Sequence, residues 1–244
     1  CKWAVEIYDA RRVPEIVQKA FRIAKTGRPG PVVVSVPADM LADRAEMEFG
    51  PVSPIPRPKP SLKETEACLN LLRLAKKPLI VAGGGVLAAG AEEQLLRFAE
   101  KFRIPVLSSF RRHDVFPNDH SLYAGHLGLG TMKTIVNTIR QADTVLALGT
   151  RLSEVTTQGY SVISREQTLI HIDIDYATLG KAYAPTLGIV ADAKEALLSL
   201  LELSGEVEEP VWSDWTIQCR TSYESVTRID APVNTDRVDM KQII

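Results

Sequence analysis

Leu79-Ile80-Val81-Ala82-Gly83-Gly84-Gly85 decides how this chain is read: an unbroken apolar run ends in three glycines. A strand buried on both faces of a parallel sheet reads as a continuous apolar run, whereas a strand wetted on one face alternates. The same pattern recurs four times. Ile104-Pro105-Val106-Leu107 runs into Ser108-Ser109, and Thr144-Val145-Leu146-Ala147-Leu148 into Gly149-Thr150-Arg151. Leu169-Ile170-His171-Ile172 runs into Asp173-Ile174-Asp175, and Leu187-Gly188-Ile189-Val190 into Ala191-Asp192. Ligands of such sheets sit beyond the carboxyl ends of the strands. Glycine there lets backbone approach a phosphate, and an acid there accepts hydrogen bonds from ribose hydroxyls. The pattern predicts an α/β, nucleotide-type binding domain.

Helical periodicity fills the intervals. Ser61-Leu62-Lys63-Glu64 has the form of a capping box, and the helix after it carries Leu62, Ala67, Cys68, Leu71, Leu72 and Ala75 inward. A second helix carries Leu95, Leu96, Phe98, Ala99 and Phe102, and a third Met132, Ile135, Val136 and Ile139. Another starts at Asp192 and buries Ala196, Leu197, Leu200 and Leu201, and a last one bears Trp212, Trp215, Cys219, Tyr223 and Val226 on the flank of the sheet. Strands alternating with helices imply parallel pairing through right-handed crossovers.

The region before residue 61 reads differently. Val13, Ile16, Val17, Ala20, Phe21 and Ala24 share one helix face, with Pro14 near the start and Gly27 past the end. Val32-Val33-Val34-Ser35-Val36 follows as a single strand, which cannot bury both of its faces alone. Five prolines at 51, 54, 56, 58 and 60 then favour an extended connector. With Cys1 in place of an initiator methionine and no strand expected ahead of the helix, the chain reads as a piece excised from a longer polypeptide.

Composition narrows the partners. With 29 basic and 30 acidic residues among 244, no charge excess favours nucleic acid or an anionic membrane. No apolar stretch approaches the roughly 18 residues of a membrane helix. Cys1, Cys68 and Cys219 lie far apart, as unpaired thiols of a cytoplasmic protein would.

Each motif has a structural reading beside the functional one. Gly83-Gly84-Gly85 either surrounds a phosphate with N–H groups or makes a tight strand-to-helix turn. Gly125, Gly128 and Gly130 form a second glycine crossing with the same two readings, and His126 beside them receives no role. Arg151 stands where a guanidinium reaches a ligand phosphate or remains a solvated charge. Asp173 and Asp175 alternate, so one faces the crevice, and Asp173 is the better ribose partner. Asp192 heads a second capping-box pattern with Glu195. Arg111-Arg112-His113-Asp114 reads as a solvated loop ahead of an anion contact. No nucleophile triad stands at a recognisable turn, and the histidines at 113, 120, 126 and 171 lack metal-ligand spacing.

Taken in order, these motifs resemble the thiamine-diphosphate-dependent enzymes of the acetolactate synthase type. Thr26-Gly-Arg-Pro-Gly-Pro31-Val-Val-Val-Ser-Val-Pro37-Ala-Asp39 looks like the end of that family's pyrimidine-binding domain. Lys77-Pro78 through Gly85, Ala142-Asp143 with Gly149-Thr-Arg151, His171 to Asp175, and Ala191-Asp192 look like its Rossmann-like central domain, a parallel sheet flanked by helices. The implied organisation is a pyrimidine-domain remnant over 1–40, a Pro-rich linker over 41–60, the central domain over 61–205, and a flanking helix with the lead-in to a diphosphate-binding domain over 206–244.

The resemblance implies a parent 2-keto acid carboligase or decarboxylase using thiamine diphosphate and magnesium. The family's catalytic glutamate belongs to the earlier part of the pyrimidine domain, and its Gly-Asp-Gly motif, which does not occur here, to the domain that follows. This fragment is therefore expected to be inactive alone, to lack its partner domains, and to belong to a homo-oligomer. In relatives the central domain holds FAD, ADP or nothing. Carried over by motif, the ligand-facing positions are Gly83, Gly84, Gly85, Leu127, Gly128, Gly149, Thr150, Arg151, Asp173, Ile174 and Asp192. Ser153 and Val155 stand where flavin-binding members continue with an acid and an arginine, and Gly130 and Tyr176 also depart, so the adenosine half survives better than the flavin half. Two alternatives remain: a stand-alone FAD- or NAD-binding, electron-transfer-flavoprotein-like module, and an oligomerisation scaffold with an empty cleft.

Overall fold

The computed structural model describes residues 1–206 and 210–228; residues 229–244, the end of the stretch read above as a flanking helix and lead-in, lie outside them. The chain divides into two compact units, residues 1–58 and the remainder from Lys59.

The larger unit is built on six parallel strands: β3 (Pro78–Ala82), β4 (Val106–Ser108), β5 (Tyr123–His126), β6 (Thr144–Leu148), β7 (Thr168–Asp173) and β8 (Leu187–Val190). Their order across the sheet is β5-β4-β3-β6-β7-β8. Counted from the first of them, that is 3-2-1-4-5-6, the order of dinucleotide-binding doubly wound sheets. The chain reverses direction of winding between β3 and β6, so their carboxyl ends flank a natural crevice. Every residue of β3, β4 and β6 is buried, as the continuous apolar runs require.

Helices α3 (Leu62–Leu74), α4 (Gly84–Ala89), α5 (Glu92–Phe102), α6 (Lys133–Gln141), α7 (Ala193–Leu203) and α8 (Ser213–Thr227) cover this sheet. Ser61 caps α3 with the full reciprocal box: its hydroxyl accepts from Glu64 N–H while the Glu64 carboxylate accepts from Ser61 N–H. The inward stripe of α3 is Thr65, Cys68, Leu69 and Leu72; Leu62, expected inside, is 64% exposed because it is the first helical residue, ahead of that stripe. α8 packs on β5 and α6, pinned by two indole N–H groups, Trp212 to Phe102 O at 3.1 Å and Trp215 to Pro78 O at 2.9 Å. Burial pushes the Cys68 thiol up to about 12, so it packs as a small apolar group.

β5 is a strand the sequence reading missed. Gly125 was expected in a loop, yet it lies inside β5 with φ +108, beside a register shift between Val106 and Leu107 of the partner strand. A glycine at such an irregularity removes the apolar run that would announce a strand.

The smaller unit holds β1 (Trp3–Glu6), α1 (Val13–Lys25), β2 (Val32–Ser35) and α2 (Ala38–Ala42). The expectation of a lone strand is corrected here: β1 pairs with β2 in parallel, from Trp3 opposite Val32 to Glu6 opposite Ser35. Four residues of alternating burial are too short a run to stand out in sequence. On α1 only Ile16 and Ala20 are buried, whereas Phe21 is 62% exposed. Residues 43–61 carry no helix or strand. Among the described residues, no helix is long and apolar enough to cross a membrane.

Candidate nucleotide-binding cleft

The turn after β3 meets the turn after β6 at the carboxyl ends of their strands, where the sheet's order places the candidate cleft. Gly83 N–H donates to Leu148 O at 2.9 Å and Gly85 N–H to Gly149 O at 2.8 Å, stitching the two turns together. A side chain at Gly83 would collide with the Gly149 carbonyl and Thr150, and one at Gly85 would come within 2.6 Å of Gly149 Cα. Gly149 itself is left-handed at φ +57, with Gly85 Cα 2.7 Å from where its Cβ would be. Much of this glycine content therefore serves close packing of backbone on backbone. The third residue differs: the half-buried Gly84, first residue of α4, has an N–H with no acceptor among the described residues.

The other carried-over residues gather at the same end of the sheet. Thr150 is buried, and its carbonyl meets Nε2 of His171 at 2.8 Å, while Nδ1 of His171 is buried with no partner. Burial lowers the pKa of His171, opposed by the Thr150 hydrogen bond and the charge of Asp173. A neutral imidazole donating from Nε2 satisfies that carbonyl and holds the turn that leads into the exposed Arg151.

Asp173 ends β7 buried, and its Oδ1 accepts from Asp175 N–H at 2.9 Å; Ile174 between them is half-buried. Asp192 is the N-cap of α7, its Oδ1 accepting from Lys194 N–H at 2.9 Å and Glu195 N–H at 3.3 Å. Each acid thus shapes its own turn with one oxygen, the local use that aspartate favours at such positions.

On the β5 side, Leu127 and Gly128 are buried, and a side chain at Gly128 would strike the Phe110 ring at 2.7 Å. The Gln158 amide donates to Gly128 O at 2.7 Å, tying the loop after Arg151 across to this crossing. That loop contains four left-handed residues: Leu152, Gln158, Gly159 and Tyr160. Gln158 has no sign in the sequence, and Arg112 falls in the run weighed above as a solvated loop or an anion contact. Nothing local announces that its guanidinium rests on Gly84.

A groove of about 610 Å³ opens elsewhere, near Arg103, Leu122, Ile217 and Arg220, toward the amino ends of β4 and β5. Its main cation is already engaged: Arg220 donates to the carbonyls of Asn118 and His120 and to Glu224. We therefore place the candidate site at the opposite, carboxyl-terminal end of the strands, where Gly84 and the unpaired Nδ1 of His171 lie.

Comparison with known proteins agrees with this topology. The family described as "Thiamine pyrophosphate enzyme, central domain" matches residues 65–200. Glyoxylate carboligase of Escherichia coli O157:H7 is 35% identical over 250 aligned residues, covering 97% of this chain and 42% of that protein. The acetolactate synthase large subunit of Corynebacterium glutamicum is 34% identical, over 83% of this chain and 33% of its own length. A solved structure from Mycobacterium smegmatis, described as thiamin diphosphate-dependent, superposes with a TM-score of 0.72 at 28% identity, covering 86% of this chain and 41% of that one. The chain therefore spans less than half the length of these relatives. A central domain of this kind, rather than a free-standing flavoprotein-like module, accounts for the matches.

Proposed function

The chain belongs to the thiamine pyrophosphate enzyme family, whose central domain it contains, and from that premise we propose what it does within a longer enzyme. The parent acts on a 2-keto acid as a carboligase or decarboxylase, in keeping with relatives named for glyoxylate carboligation and acetolactate synthesis. Thiamine diphosphate with magnesium supplies the carbon–carbon bond chemistry when bound. The residues that hold it belong to pyrimidine- and diphosphate-binding domains of the same polypeptide, so no catalytic step is assigned to a side chain of this stretch.

What this stretch contributes is a rigid scaffold and a nucleotide cleft. ADP, or FAD through its ADP half, is the ligand class, with Gly83 to Gly85, Leu127, Gly128 and Gly149 to Arg151 facing it and Asp173, Ile174 and Asp192 at its ribose end. The observation that carries this reading is the switch point of a 3-2-1-4-5-6 sheet, where the half-buried Gly84 amide has no protein acceptor among the described residues. We place the parent in the cytoplasm as a homo-oligomer, the former on the three free cysteines of this chain.

A second reading has its own support. The interlocked glycines at 83, 85 and 149 complete the turn without a ligand, as a scaffold with an empty cleft requires. Two measurements decide. The complete reading frame, supplied with thiamine diphosphate and magnesium, is expected to turn over pyruvate or glyoxylate; a frame without both flanking domains overturns the enzyme assignment. The chain itself is expected to melt higher with ADP, and no shift with ADP, FAD or NAD favours the scaffold.

A further inference from the structure

The segment after β4 is a strap pinned at both ends and held in the middle by two histidines. At one end Ser109 N–H donates to Ala82 O at 2.8 Å, and at the other Val115 and Phe116 are buried. Between them Arg111 to Asp114 are exposed, and Arg111 is left-handed at φ +61, a strained conformation that release of the strap relaxes. The strap packs on α4, and its His113 ring meets His126 edge-on with centroids 4.3 Å apart. His126 does not share the freedom of the strap. It is the last residue of β5, lies opposite Ser108, and is followed by Leu127, whose N–H donates to Ser108 O at 2.8 Å.

Two imidazoles so close tolerate one proton between them, whereas two protons set like charges against each other. Neither ring is paired with a carboxylate among the described residues. The other charged groups of the strap are Arg111, Arg112 and Asp114, and α4 brings no titratable side chain. On the far side of β5, α6 carries Lys133 and Arg140, while α8 presents Tyr223 to Tyr123 and Arg220 to Glu224 and the carbonyls of Asn118 and His120. The charge that acts on His126 is that of His113, which adds to burial in lowering its pKa. The closed contact therefore binds fewer protons than the open one, so it is favoured at neutral pH and loses ground as pH falls.

We propose that the His113–His126 contact is a proton-sensitive latch: acid parts the two rings, and the strap of residues 110–114 lifts from α4 while the sheet beneath it stays folded. Neutral rings hold the strap down, and a charged pair lets it go. Opening takes up a proton, and the strain at Arg111 acts in the same direction. The latch needs no ligand, so its fate is separate from that of the nucleotide reading.

The test is hydrogen exchange of the full chain, followed from about pH 7.5 to about 5.5 and corrected for the intrinsic pH dependence of exchange. The amides to watch are Arg112 and Val115, which donate to Ser109 O and Arg112 O within the strap. An opening that takes up one proton becomes up to about tenfold more frequent per pH unit below the ordinary histidine value near 6.5. The strap amides are expected to lose protection by that factor and to remain less protected than Ile80 in β3 at every pH. His126→Phe keeps a flat ring against His113 and is expected to abolish this pH dependence. In His113→Phe the NMR titration of His126 is expected to move up toward its ordinary value, a shift that packing alone does not produce. Strap protection that is flat with pH in the wild type overturns the latch, and so does an unaltered pH dependence in His126→Phe. Protection equal to that of Ile80 overturns it as well, because the opening then belongs to the whole unit. An unmoved His126 titration in His113→Phe removes the coupling of the rings. Should a variant fail to fold, the wild-type series decides by itself.

Discussion

Both sheets of this protein are parallel, yet the chain equips them very differently. In the unit from Lys59, β3 and β6 are flanked by partners on each side and have all five of their residues buried. In the unit of residues 1–58, β1 and β2 have only each other, and their residues alternate between half-buried and exposed. The Val32-Val33-Val34 run resembles the apolar runs of the larger sheet, but Val33 is 52% exposed. An apolar, β-branched segment therefore records the surroundings a strand is suited to. Which of its faces is covered depends on the elements packed around it.

The strongest way to break this comparison is through glycines of equal conformation. Gly149 and Gly27 are both left-handed, at φ +57 and +62, but only Gly149 has backbone within 3 Å of its would-be Cβ. Gly149→Ala is expected to cost about 2–6 kcal/mol, adding overpacking to backbone strain. Gly27→Ala carries the strain alone and is expected to cost about 1–3 kcal/mol. Urea unfolding, followed by region-resolved hydrogen exchange, measures both; similar losses would mean that the interlocked turns do not hold the larger unit.

Side-chain truncation gives a somewhat smaller contrast. Ile80→Ala, at a fully buried position of β3, is expected to lose about 2–5 kcal/mol of stability. Phe21→Ala, on the exposed side of α1, is expected to stay within about 0.5 kcal/mol. A large loss at Phe21, seen in the same exchange measurement, would show that this face of α1 is covered in solution.

The smallest effect separates the units by pH. His126 and His171, both in the larger unit, have pKa values lowered by burial, with the nearby His113 adding to the effect at His126. A lowered histidine binds its proton more readily when unfolded, so stability is retained above the unfolded value near 6.5 and falls below it. In the smaller unit, hydrogen bonds from Arg11 hold Asp9 at about 2, and a hydrogen bond from Arg12 lowers Glu15. Those carboxylates stabilise above their unfolded values and lose that contribution as pH falls toward 2. Exchange protection should therefore weaken first in the larger unit, between about pH 7 and 5, and only below about pH 4 in the smaller. Simultaneous weakening would sink the distinction.

Local chemistry made most of this fold legible. The apolar runs of β3, β6 and β7 and the Ser61 and Asp192 caps each declare themselves within a few residues. β1 and β5 escaped because neither offers an apolar run into a turn: Trp3-Ala4-Val5-Glu6 alternates in burial and ends in an acid, and Gly125-His126 closes β5. The site was legible only as a list of positions. Sequence order placed Gly83, Gly149 and Arg151 at strand ends, but gave no means of seeing Arg112 on Gly84 or His171 beneath Thr150.

The sequence by itself determined a wound parallel sheet, because burial on two faces demands unbroken apolar strands and the connections between them demand helices. Only the tertiary structure decided what the glycines are for. Gly85 and Gly149 lie 64 residues apart, and the close approach that requires both depends on strands pairing across that distance. The same pairing determined which backbone amide was left without an acceptor. Such a remainder belongs to the assembled sheet and cannot be read from any segment alone.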